Sequence, residues 1–181
     1  MELLDLYTAD REPTGMTMER GGKQPDGYYR LVVHICVFNS KGEMLIQQRQ
    51  PFKWGWSGMW DVTVGGSAVA GDSSSAAAHR ELLEEIGLDV DFTGIRPSLT
   101  VNFDYGFDDI YIIERDVELS ELSLQYEEVK DVMWADAEKI KSMIDEGNFI
   151  SYEKSFIDLL FFMREHRGVH AKPDKTVLQR S

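Results

Sequence analysis

The sequence predicts a single α/β domain, and three stretches carry that expectation. Tyr29 to Phe38 is a near-continuous, valine-rich apolar run, as expected of a strand buried on both faces. A capped helix is expected between Ser73 and Gly87, where a serine run leads into alanines and a glycine stands at the far end. Two amphipathic helical stretches, Trp134-Ala135-Asp136 to about Glu146 and Ser151 to about Arg164, follow the last strand-like run.

Composition narrows the class. A chain of 181 residues with 43% hydrophobic content can bury a substantial core in one domain. A formal net charge of −13 argues against a nucleic-acid polymer as partner, because affinity for that backbone comes from lysine and arginine. A small phosphorylated molecule stays open, since a bound dication inverts the local electrostatics. Cys36 is the only cysteine, so no intrachain disulfide forms and a reducing cytoplasm fits. No run reaches about 18 apolar residues and the acidic start resembles no signal peptide, so a cytoplasmic protein without membrane attachment is expected.

In chain order, residues 1–29 read as an N-terminal β-hairpin extension. Leu4-Asp5-Leu6-Tyr7 alternates like a strand, and Pro13-Thr14-Gly15 signals a turn before a second one. The favoured role for the hairpin is closing a sheet edge, with substrate binding as the alternative. Gly21-Gly22 and Pro25-Asp26-Gly27 then form a loop. His34, inside the Tyr29–Phe38 strand, reads as a core histidine with one hydrogen bond. Asn39 to Gly42 is a turn, and Glu43 to Arg49 returns as a strand.

Residues 50–60 form a loop bearing Trp54, Trp56 and Trp60. Trp60 is assigned to the core. Trp54 and Trp56 either stack on a substrate or pack the loop down. Asp61 to Val64 is a short strand feeding a Gly65-Gly66 loop. After the helix, Leu99–Phe103 and Ile110–Val117 read as strands flanking an acidic hairpin, 104–109. Residues 120–128 are an acidic loop, and Val129 to Trp134 is the last strand. Phe156, Leu159, Leu160 and Met163 mark the apolar side of the final helix, and Gly168 to Ser181 reads as a tail.

The helix before Gly87 breaks local rules. At about 100° per residue with Glu81 at zero, Glu84 and Glu85 fall near 300° and 40°, on one face. Leu82, Ile86 and Leu83 fall at about 100°, 140° and 200°, a roughly opposite apolar face. Like charges at these spacings repel, and anions in the last turns oppose the helix dipole. Such a breach is expected where function sets the sequence. Clustered carboxylates beside a backbone carbonyl suit a hard cation such as Mg²⁺.

This segment resembles the Nudix box: Gly66, five residues, Asp72, seven residues, then Arg80-Glu81-Leu82-x-Glu84-Glu85-x-Gly87-Leu88. Asp72 stands where the box has glutamate, and every other defined position matches. The resemblance covers about residues 30–165 and leaves a tail at 166–181. It implies an α/β/α sandwich with a mixed central sheet, and a Mg²⁺ (or Mn²⁺) enzyme in which water attacks phosphorus and splits a small-molecule diphosphate. By position it implies Glu81, Glu84, Glu85 and the Gly66 carbonyl as metal ligands. Glu81 doubles as a candidate base, and Arg80 holds a glutamate by a charge-assisted hydrogen bond. For the further acid that the family often takes from outside the box, Asp109 and Glu127 are the candidates, with surface charge as the alternative reading. A homodimer is compatible with the sequence.

The segments Val37-Phe38-Asn39-Ser40-Lys41-Gly42 and Gly58-Met59-Trp60 resemble the isopentenyl-diphosphate isomerase branch. That branch's catalytic cysteine falls on Gly65 and its metal-binding histidine on Ser67. The readings therefore rank as hydrolase, then isomerase, then a non-catalytic ligand-binding module.

Overall fold

The computed structural model describes residues 2–166 and 168. Most of the expected tail lies outside that range. Strands β1 (Leu3–Tyr7) and β2 (Pro13–Glu19) form the N-terminal hairpin. Strands β3 (Arg30–Phe38), β4 (Met44–Arg49), β5 (Trp60–Asp61) and β6 (Val64–Ser67) precede helix α1 (Ser74–Ile86). Strands β7 (Leu99–Phe103), β8 (Gly106–Glu114) and β9 (Val129–Ala135) lead to helices α2 (Ala137–Asp145) and α3 (Lys154–Glu165).

The central sheet is mixed. Its order is β5-β4-β3-β8-β7, with β6 paired to β3 and β9 to β4. β3 runs parallel to β8 and antiparallel to β6 and β4. Period-2 alternation along β3 divides the core into two layers. Leu31, Val33, Ile35 and Val37 pack with Ala77, Ala78, Leu82 and Ile86 of α1. Cys36 and Phe38 face Ile140, Met143, Ile157 and Leu160 of α2 and α3. This is the expected α/β/α sandwich.

Several boundaries differ from the expectation, each for a physical reason. The hairpin turn lies at residues 8–12, with Arg11 left-handed (φ 64°), and Pro13 opens β2. Proline is tolerated as a strand's first residue because it owes the ladder no N–H. The hairpin is a two-stranded sheet of its own, joined to the start of β3 by a Tyr7–Tyr29 bridge, so it does not close a sheet edge. The expected strand at 61–64 is split. At the break the Thr63 hydroxyl accepts from Val37 N–H and donates to Leu45 O, replacing ladder bonds. Gly65 and Gly66, expected in a loop, are strand residues opposite His34 and Val33. In α3 the fully buried positions are Ile157 and Leu160, while Leu159 and Met163 are half-buried.

The acidic hairpin is tighter than expected, and Asp108 and Asp109 belong to β8. Asp109 is completely buried. Its carboxylate accepts a bidentate fork from Arg11 (Nη1 to Oδ1 2.9 Å), a bond from Thr100 Oγ1 (2.7 Å) and one from Ser74 Oγ. Burial pushes the carboxyl pKa up, but these donors together hold it below the usual range. Ser74 is the first residue of α1 and also meets the Tyr111 hydroxyl at 2.8 Å. One buried carboxylate thus ties the hairpin, the sheet and the start of α1 together.

Arg11→Met should therefore strand Asp109 with its hydroxyl donors alone. The expected cost in urea unfolding is about 2–4 kcal/mol, somewhat less than for breaking a fully buried ion pair, because Arg11 is partly exposed. A change indistinguishable from that of an exposed arginine would contradict this role.

Candidate active site

Helix α1 is built as its sequence directs. The Ser73 hydroxyl caps Ala76 N–H, and Gly87 adopts the left-handed conformation (φ 71°). The expected faces need one correction. Leu83 is exposed, whereas Glu81 and Glu85 lie inward with Ala77, Ala78, Leu82 and Ile86 and are each 6% exposed. Only Glu84 of the three acids stands at the surface.

Glu81 is accommodated by a missing side chain. A Cβ at Gly66 would collide with the Glu81 carboxyl. On the opposite face of the same strand, a Cβ at Gly65 would stand 2.7 Å from His34 Nε2. β6 is therefore gripped between a carboxyl on the α1 side and an imidazole on the α3 side. The His34 ring is itself fixed by Asp108, Nδ1 to Oδ1 2.8 Å, the single hydrogen bond expected of it.

Arg80 is the hub of the charged network. Its Nε and Nη2 both reach Asp72 Oδ2 at 3.1 Å, so the shorter acid at that position still makes contact. Nη1 donates to Glu81 Oε1 (3.0 Å) and Glu84 Oε2 (3.3 Å), and Nη2 to Ser67 O (3.2 Å). Arg80 thus offsets the repulsion that the three glutamates create.

The other end of the site is closed by the acidic loop. Ser123 and Gln125 N–H groups satisfy the terminal α1 carbonyls of Ile86 and Glu85. That contact brings Glu128 near Glu85, whose carboxyl receives Gln47 Nε2 at 3.0 Å. Burial pushes the Glu85 pKa to about 8, with Glu81 and Glu128 adding to the rise. Burial also raises Glu81, against the pull of Arg80.

The remaining expected residues are distributed as follows. Asp109 lies at the opposite, N-terminal end of α1, neither at the carboxylate site nor on the surface. Glu127 is exposed, and its neighbour Glu128 is the acid beside Glu85. Trp54 is 97% exposed and Trp56 is 53% exposed, so Trp54 does not pack the loop down. Trp60 is half-buried against the α2–α3 layer. Gln47 and Arg49 were not anticipated. Their signal, the polar run Gln47-Gln48-Arg49 after Met44-Leu45-Ile46, reads from sequence as the solvated end of a strand.

Among the described residues, no three acid, histidine or cysteine side chains are gathered closely enough to hold an ion. The donor set nevertheless fits a hard dication. Glu81 and Glu85 are buried carboxyls whose pKa values are raised chiefly by burial, with Arg80 pulling Glu81 back down. Gln47 Oε1, on the side chain that holds Glu85, is a buried oxygen without a partner.

Comparison with known proteins identifies the family and the fold. The NUDIX domain family profile matches residues 28–157. An uncharacterised Nudix hydrolase of Listeria monocytogenes is 42% identical over 170 residues, covering 94% of this chain and 99% of that protein. An isopentenyl-diphosphate Delta-isomerase of Photorhabdus laumondii is 30% identical over 154 residues, covering 81% and 84%. A crystal structure of a Deinococcus radiodurans protein superposes with a TM-score of 0.68 at 23% identity, covering 88% and 97%.

The Gly66–Glu81 contact makes a double-mutant prediction. Gly66→Ala alone should cost about 1–3 kcal/mol by overpacking. In a Glu81→Ala background, where the Cβ has room, the same change should cost much less in urea unfolding. Additive costs would mean that the carboxyl does not occupy that space.

Proposed function

The chain belongs to the Nudix family of hydrolases, and on that premise we propose that it is a Mg²⁺-dependent enzyme cleaving the diphosphate linkage of a nucleoside diphosphate derivative or a similar organic diphosphate. The observation that carries this reading is the pair of buried carboxyls, Glu81 and Glu85, beside the Gly66 strand, both with pKa values raised by burial. Burying two carboxyls there, with Arg80 on Glu81 and an amide on Glu85, weakens the fold, and a bound dication would offset that cost.

On this reading Glu81, Glu84, Glu85 and the Gly66 carbonyl hold the metal, which supplies Lewis-acid stabilisation of phosphate oxygens and acidifies the attacking water. Mn²⁺ would serve the same donors. The chain's own groups do the rest. Arg80 orients Glu81 and Glu84 from one side, and Gln47 orients Glu85 from the other. Glu81, which bonds only to Arg80, takes the role of base toward the water. Arg49, whose Nε is buried without a partner and whose charge reaches Glu85, binds a phosphate oxygen. Trp54 and Trp56, with Phe52 and Tyr126 on adjoining loops, their ring centroids 5.7 Å apart and their planes tilted, contact the organic half of the substrate.

The isomerase reading draws on the likeness to the Photorhabdus enzyme, and the local chemistry weighs against it. Gly65 carries no thiol, and the His34 ring occupies the space that a side chain there would need. Cys36 is fully buried, and burial pushes its thiol well above the usual range, so it cannot stand in.

A panel of nucleoside diphosphate derivatives and other organic diphosphates, assayed with Mg²⁺ for released phosphate or monophosphate, tests the proposal. Glu85→Gln should lower turnover of the best substrate about a hundredfold or more while the fold is retained. Parent-like turnover in that variant would refute the metal assignment. Dimethylallyl diphosphate formed from isopentenyl diphosphate would instead favour the isomerase.

A further inference from the structure

The N-terminal hairpin precedes the segment matched by the family profile, yet it is bound at two places to the helix and loop that carry the active site. At its turn, Arg11 enters the Asp109 node that fixes the start of α1. At its open end, Leu3 O accepts from Ala70 N–H (2.7 Å) and Asp5 Oδ2 accepts from Gly71 N–H (2.7 Å). β1 therefore lines the chain between Gly66 and α1. Glu2, the residue before Leu3, carries Arg20 with it. Arg20 N–H donates to Glu2 O (3.0 Å), and its Nη1 donates to Glu2 Oε2 (2.6 Å).

The position of Arg20 is set by a tight turn. Gly22 N–H bonds Glu19 O at 2.9 Å, and Gly21 between them has φ 83°, a conformation that favours glycine. From there Arg20 is close enough to Glu81 for its charge to favour the ionised carboxylate, while Arg80 does the same for Glu2. Ala70 and Gly71, which β1 holds, follow Ser67, whose carbonyl accepts from Arg80. The Glu2–Arg20 pair at the end of β1 therefore lies by the loop that Arg80 fixes beside Glu81.

We propose that the hairpin completes the active site by supplying Arg20 as a phosphate-binding residue at its rim. The inference rests on the diphosphate reading above and adds a residue to it. A diphosphate approaching a chain with 32 acids and 19 lysines and arginines needs a cation that is free to turn toward it. Arg80 is fully committed to Asp72, Glu81, Glu84 and Ser67 O. Among the described residues, Arg20 has one side-chain partner, Glu2, in a half-exposed pair. Exposed pairs of this kind contribute about 0–1 kcal/mol, so exchanging Glu2 for a phosphate costs little. The guanidinium fork then matches two phosphate oxygens.

The test uses the full chain and three variants, R20A, R20K and E2Q. Two quantities are read: KM and kcat on the best diphosphate of the panel, and the Kd of inorganic pyrophosphate with Mg²⁺ by calorimetry. R20A should raise both KM and Kd about tenfold with kcat within about twofold and an unchanged melting temperature. R20K should recover most of the affinity, and E2Q should bind at least as tightly as the parent because it frees the guanidinium. A KM and Kd within about twofold of the parent in R20A, or equal losses in R20A and E2Q, would reduce the pair to a hairpin clasp and overturn the inference. A parent that binds pyrophosphate through Arg20 but hydrolyses no diphosphate would refute the hydrolase reading alone. A parent that neither binds nor hydrolyses would refute both.

Discussion

The site depends on one steric fact: the Glu81 carboxyl fills the space where Gly66 would otherwise carry a side chain. A carboxyl can be brought that close to a strand only if the strand offers no Cβ. The neighbouring Gly65 meets the same demand from the other face, where the His34 ring lies. Two successive glycines in a strand interior would ordinarily weaken it, since they lose the most conformational entropy and pack nothing. Here they let α1 lie close to the sheet with two acids facing inward, and the aliphatic residues of the same helix arc cover the core.

That placement leaves charge to be managed. Arg80 spreads one guanidinium over three carboxylates and a carbonyl, which explains how acids tolerate the C-terminal half of a helix whose dipole opposes them. Glu85 is treated differently. It has an amide donor instead of a cation, and it holds its proton up to about pH 8. The metal-free site therefore has one carboxyl already compensated by arginine and one compensated by protonation. On the proposed reading a dication would replace both kinds of compensation at once, coupling metal binding to proton release.

Much of this was legible in the sequence because it is local. Ser73, Gly87 and the spacing of Glu81, Glu84 and Glu85 act within a few residues of one another, and the caps and the shared face follow from helix geometry. What could not be read depends on partners far apart in the chain. Asp109 looked like loop charge because its main partner, Arg11, is 98 residues away. Gly65-Gly66 looked like a loop because the strand that pairs with it decides its conformation. The inward turn of Glu81 and Glu85 and the exposure of Leu83 rotated the buried face of α1 from the expected one, though Leu82 and Ile86 stay inside. Helix periodicity shows which residues share a face but not which face the sheet covers. Glu127 and Glu128 are adjacent acids, and only the contact of the loop with the end of α1 chooses between them.

The central claim is that Glu85 keeps its proton until a dication takes its place. Calorimetric titration of Mg²⁺ at pH 7, in two buffers of different ionisation enthalpy, counts the protons released on binding. With a pKa of about 8 in the free protein, Glu85 should give up nearly one proton per ion bound. Affinity should rise with pH up to about 8 and then level, because only the ionised carboxylate is a ligand. Glu85→Gln should bind more weakly and release little. Tight binding by the parent with no proton release at pH 7, or an affinity that does not change between pH 6 and pH 8, would contradict the account.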